Sequence, residues 1–158
     1  MNGRRLTHVD ETGAARMVDV SAKDVTVRTA RATGCVRLSD AAVAALRGGG
    51  VPKGDAIAVA RIAGIAGSKR TPDLIPLCHP IALHGVTVDL AIEDWGVSIA
   101  ATARTADRTG VEMEALTAVS VAALALVDMV KAIDPAAVIS DIQVAEKTGG
   151  KSGPWRRP

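Results

Sequence analysis

The chain has no phenylalanine and no tyrosine, and tryptophan occurs only at Trp95 and Trp155. Stacking platforms for single-stranded RNA or DNA rely on several such rings, so most modules of that kind are excluded and no nucleic-acid partner is expected. Cysteine is scarce as well: Cys35 and Cys78 stand far apart, outside any CxxC or metal-binding His spacing. No zinc site and no disulfide framework are expected, and that usage fits a reducing compartment, the cytoplasm. Neither sign of charge dominates. The formal net charge of +2 is too mild for a nucleic-acid footprint but compatible with a local pocket for an anion. Met1 to Asp10 mixes Arg4, Arg5 and His8 without an apolar stretch, so no secretory signal is expected. The longest uncharged helical run, Ala115 to Val127, stops at Asp128 and reads as too short to span a bilayer.

What the chain does have is aliphatic. Of its 158 residues 48% are hydrophobic, mostly Ala, Val, Ile and Leu, which suffices for one compact domain over 1–158 and excludes a disordered chain. There is no internal repeat and no linker.

Residues 1–22 are polar apart from the island Met17-Val18-Asp19-Val20 and read as an irregular N-terminal arm. Val25 to Leu38, rich in Val and Thr, reads as a strand interrupted near Gly34. Ser39 is placed to cap a short helix from Ala41 to Leu46 that ends in Gly48-Gly49-Gly50. Gly54 to Ala66 has helical spacing despite its glycines. Pro76 and Pro80 bracket Leu77-Cys78-His79 in a stiff loop or single turn. Val86 to Ile92 alternates with period two, and Val97 to Thr105 returns as its hairpin partner across Glu93-Asp94-Trp95-Gly96. Thr109 with Glu112 fits a capping box opening a long helix that ends near Asp134, before Pro135. Val138 to Ala145 reads as the last strand, and 148–158 as a flexible tail. The order strand, helix, helix, hairpin, long helix, strand predicts an α+β domain: a ferredoxin-like antiparallel sheet with helices packed on one face.

Several side chains can carry chemistry. Asp128 and Lys131, three apart on the long helix, share a face. A bare Asp-x-x-Lys is by default a weak surface ion pair; the alternative is an acid/base pair in which the carboxylate orients an ammonium. Glu112 reads as the capping-box acid, whereas Glu114 has only the helix dipole to explain it. Glu114, Asp128 and Lys131 fall within an arc of roughly 100°, yet Glu114 and Asp128 lie about 21 Å apart along the axis. One small ligand therefore cannot touch both within a single chain, and a shared site requires a second copy. His79 is aimed in advance by its flanking prolines; a satisfied structural histidine is the plainer reading. Cys78 beside His79 is not a nucleophile–base dyad, since adjacent side chains rarely converge. Lys53, Lys147 and Lys151 stand beside glycine-rich backbone, a setting that suits phosphate, although any one of them is more simply a solvated lysine. Gly150-Lys151-Ser152 imitates the end of a P-loop, but Ala145 stands where the first glycine is required and no helix follows.

The string itself carries more. Met17-Val18-Asp19-Val20-Ser21, Lys53-Gly54-Asp55, Ala60 to Ile65, Asp73-Leu74-Ile75-Pro76-Leu77-Cys78-His79-Pro80, Thr109 to Ala118, Asp128-Met129-x-Lys131-Ala132 and Gly149 to Gly153 together resemble the molybdenum cofactor biosynthesis protein C family, the cyclic pyranopterin monophosphate synthases. The resemblance runs from about Leu6 to Gly153. It implies a lyase that converts (8S)-3′,8-cyclo-7,8-dihydroguanosine 5′-triphosphate to cyclic pyranopterin monophosphate and releases diphosphate, in molybdenum cofactor (molybdopterin) biosynthesis. It further implies Asp128 as the acid/base and Lys131 and Lys53 as catalytic lysines. Leu77, Cys78, His79, Glu112, Met113 and Glu114 would line the substrate site, and Lys147 would help hold the triphosphate. The implied assembly is a homohexamer, a trimer of dimers with each site at a dimer interface. No cofactor, no protein-bound metal and no membrane partner are expected; magnesium on the substrate's phosphates is left open. The rival reading, a regulatory domain of the same fold that binds a nucleotide without turnover, differs in predicting no product.

Overall fold

The computed structural model of the chain describes residues 7–158; Met1 to Leu6 of the expected arm lie outside them. Four long strands alternate with helices: β1 (Thr26–Arg37), α1 (Asp40–Gly48), α2 (Ala56–Ser68), the single turn α3 (Thr71–Leu74), β2 (Gly85–Glu93), β3 (Gly96–Asp107), α4 (Glu112–Val130), β4 (Val138–Thr148) and a short β5 (Trp155–Arg156). The sheet has the order β2-β3-β1-β4-β5 with every neighbouring pair antiparallel. Both helical connections skip one strand, β1 to β2 over β3 and β3 to β4 over β1. That interleaving is the ferredoxin-like arrangement expected from the element order.

Period-two alternation decides which face is buried. Ala30, Ala32, Gly34 and Val36 of β1 are buried, as are Val97, Ile99, Ala101 and Ala103 of β3, while Arg31 and Arg37 are exposed. Helix α4 lies over this face and α2 packs beside it. The glycines of α2 are its contact surface: a Cβ at Gly64 would stand 2.8 Å from the Ala118 carbonyl oxygen, and one at Gly67 would stand 2.7 Å from Val121. The loss of helix propensity at these two positions is offset by close approach of the two helices. An 18-residue window of the 19-residue α4 reaches a mean hydropathy of 1.8, enough to cross a bilayer by length and composition alone. In the fold, however, α4 is the core helix, with Ala115, Ala118, Val119, Ala122, Ala123 and Leu126 fully buried, in line with the shortness of its uncharged run.

Local signals set several helix ends, those of α1 as expected, while α2 begins at Ala56 rather than Gly54. Ser39 accepts a hydrogen bond from the Ala42 amide and Gly49 closes α1 in the left-handed conformation, while Asp55 caps α2 by accepting from Ala58. Three readings are corrected. The strand β1 is unbroken against β3, with Gly34 opposite Ile99; the irregularities lie in its pairing with β4, where residues of β4 bulge out. The capping box does not form, because α4 starts at Glu112 itself, with Val111 at the N-cap and no side-chain cap. The last strand extends to Thr148, and the segment read as a flexible tail turns through Gly149, Gly150 and Gly153, all at positive φ, and returns as β5 on the β4 edge.

Candidate functional site

The expected site residues gather at the two ends of α4. At its C-terminal end Asp128 accepts from Lys131 Nζ at 2.7 Å and from Lys53 Nζ at 2.8 Å, one lysine on each carboxylate oxygen. Lys53 comes from the turn between the left-handed cap of α1 and the Asp55 cap of α2, where the Gly54 amide donates to Val51 and Val51 is buried. The two lysines hold the Asp128 carboxyl well below its ordinary value, at about 2. Asp128 is thus a permanent anion near neutral pH, a fixed acceptor that positions two ammonium groups, and its own readiness to take a proton is low until a ligand draws the lysines away. A lone surface pair does not describe this cluster.

At the N-terminal end of α4 a cleft of about 450 Å³ is lined by Leu77, Cys78, His79, Glu112, Met113 and Glu114, together with His8 and Val18 of the arm and Lys23 just after it. The Ile75 carbonyl accepts from Cys78 N–H, closing the turn that presents Cys78 and His79. His79 Nε2 lies 2.5 Å from the Val18 carbonyl oxygen. A carbonyl only accepts, so Nε2 carries the proton and the arm sets the tautomer of the ring. Burial raises the Cys78 thiol, with the Glu114 charge adding to it, a setting that disfavours a thiolate. Glu114 is 3% exposed; burial raises its carboxyl, its own backbone N–H opposes this, and the neighbouring Glu112 raises it further. It is suited to keep a proton to higher pH than a solvated glutamate and to donate it.

Glu112 has a different partner from the one its sequence position suggests. Its carboxylate curls over Gly110, from which a Cβ would displace it, and accepts from Lys147 Nζ of β4 at 2.7 Å. It also lines a cavity of about 130 Å³ with Arg28, Lys147 and Ser152, which joins Lys147 to the cleft. Arg28 donates from Nε to the Asp107 carbonyl and from Nη2 to the Arg108 carbonyl, so β1 braces the turn leading into α4. Arg28 and the arm carbonyl of Val18 were not among the residues the sequence reading assigned; a strand arginine and an apolar island carry no local mark of what they will meet. No group of three His, Cys, Asp or Glu able to hold a metal occurs among the described residues.

Because α4 is one unbroken helix, Glu114 and Asp128 stand about 21 Å apart along its axis at 1.5 Å per residue. The two clusters of one chain cannot meet on one small molecule.

The model of the MoaC family matches residues 17–150. The chain belongs to the MoaC family. The matched span contains both clusters. The protein from Streptomyces avermitilis named cyclic pyranopterin monophosphate synthase is 70% identical over 97% of this chain and 90% of its own length. The one of the same name from Nocardioides sp. is 68% identical over 98% of this chain and 97% of its own length. Cyclic pyranopterin monophosphate synthase 2 of Mycobacterium tuberculosis is 59% identical over 96% of this chain and 91% of its own length.

Proposed function

We propose that the protein is a cyclic pyranopterin monophosphate synthase, a lyase that rearranges (8S)-3′,8-cyclo-7,8-dihydroguanosine 5′-triphosphate and releases diphosphate in molybdenum cofactor biosynthesis. Near-full-length likeness to relatives of that name supports the reaction. The observation that carries the site assignment is the sorting of Asp128, Lys131, Lys53, Leu77, Cys78, His79, Glu112, Met113, Glu114 and Lys147 into two clusters at opposite ends of one helix.

The chemistry asks for two things that these clusters offer. Diphosphate leaves as a substrate hydroxyl attacks the α-phosphorus: the new P–O bond forms, the bond to the bridging oxygen breaks, and the hydroxyl proton passes to a base. Cations stabilise the charge that develops on the leaving group, a role for Lys147 at the edge of the cleft, with or without magnesium on the phosphates. Ring opening and closure of the pyran need successive proton transfers. Lys53 and Lys131, oriented by Asp128, are the groups placed to relay them, and the buried Glu114 carboxyl is a second donor.

The separation of the clusters, about 21 Å, favours a site built from two copies, the cleft of one chain facing the Asp128 cluster of its neighbour; the proposed assembly is a trimer of dimers in the cytoplasm. The direct test is to incubate the purified oligomer with the cyclic dihydro-GTP substrate and follow diphosphate and pterin. Stoichiometric appearance of both is expected; an intact oligomer that yields neither refutes the assignment.

A further inference from the structure

The hydrophobic core is wholly aliphatic save for one methionine, and Trp155 stays outside it with 41% of its surface exposed. The indole is nonetheless held firmly. Strand β5 pairs Trp155 with Lys147 and Arg156 with Glu146, and Arg156 Nε meets the Glu146 carboxylate at 3.2 Å. Arg157 donates its backbone N–H to the Ala145 carbonyl and its Nε to the Val144 carbonyl, each at 2.8 Å, and its guanidinium covers the ring 5.6 Å from the centroid. These contacts fix the strand that carries a ring which removes little apolar surface from water and so does little for the free protein's stability.

The ring's surroundings suggest its use. Trp155 walls a cavity of about 440 Å³ that it shares with Glu112, Lys147 and Ser152, and Glu112 also lines the cleft that holds His79 and Glu114. An indole offers a π face to a planar heterocycle, the Glu112 carboxylate accepts from ring N–H donors, and the Lys147 ammonium donates to a ring carbonyl or a phosphate oxygen. A phosphate alone has no use for an indole. A nucleotide uses all three: its base stacks on the indole and donates N–H groups to Glu112, while Lys147 is left to a phosphate oxygen.

We propose that Trp155 is a substrate-binding residue, the stacking wall for the guanine-derived ring system of the nucleotide, carried to the site by the C-terminal strand β5. The proposal rests on the synthase reading for the identity of the substrate, but its test does not depend on turnover. In the full-length Trp95→Phe protein, emission reports Trp155 alone; Trp95 sits at the tip of the β2–β3 hairpin. Saturable quenching by GTP and none by inorganic diphosphate is expected. In the turnover assay Trp155→Ala should raise KM roughly tenfold or more, the scale of base–aromatic stacking, with kcat within about twofold, and Trp155→Phe should recover most of the loss. An unchanged KM, equal quenching by diphosphate, or a fall in kcat that tracks a lowered Tm overturns the proposal. Should wild-type protein turn over no cyclic dihydro-GTP, the synthase reading fails while the GTP titration still decides the role of Trp155.

Discussion

Co-expression of two inactive variants gives a quantitative test of the two-copy site. Lys131→Ala removes an exposed ammonium whose contact is Asp128, and His79→Ala removes the imidazole from the cleft; neither position belongs to the hydrophobic core. Each variant alone is expected to be inactive. If each site joins the cleft of one chain to the Asp128 cluster of its neighbour, a mixed dimer contains one site with both defects and one with neither. Random pairing at equal expression makes about half of the dimers mixed, so about a quarter of all sites, and about a quarter of wild-type activity per chain, returns. A site formed within one chain returns none, because every chain then carries its own defect. Differently tagged copies, tandem purification and native mass spectrometry establish that mixed oligomers formed, and diphosphate release is the readout. Mixed oligomers no more active than their parents would refute the argument from the length of α4.

The remaining predictions concern titration and packing. Asp128 should titrate at about 2 by carbon-detected NMR, and Lys53→Ala should move it upward toward the ordinary carboxylate value; no movement would mean that the lysine does not hold it. Glu114 has the opposite sign: its folded-state value lies above its unfolded one, so its own contribution to stability is greatest below the unfolded value and is lost as pH rises through the folded one. Glu114→Gln should therefore raise Tm at pH 8 more than at pH 4, and an equal effect at both would refute the raised value. Gly67→Ala would set a Cβ 2.7 Å from Val121, an overpacking of about 1–3 kcal/mol that should lower Tm by several degrees in a thermal melt; an unchanged Tm would show that α2 and α4 are not so closely packed.

How much of this was legible depends on the range of the interaction. Ser39 could be recognised as a cap because the amide it bonds lies three residues away. The β2–β3 hairpin could be recognised because strand period and turn occupy one short stretch. The same logic misled at Glu112: its spacing from Thr109 fits a local cap, but Lys147, 35 residues on, offers a charged partner that an amide cannot match. Gly34 looked like a break in a strand because the Val119 side chain it accommodates belongs to another element.

The amino-acid string by itself determined the element types and their order and, through its motifs, the family. Periodicity, capping and motif are properties of neighbours in the chain, and they can be read without coordinates. Only the tertiary structure decided that Lys53 meets Asp128 across 75 residues, that the Val18 carbonyl sets the His79 tautomer, and that Trp155 returns beside Lys147. Those pairings arise when helices pack on a sheet and bring remote loops to one edge, and no local pattern encodes which remote group will arrive.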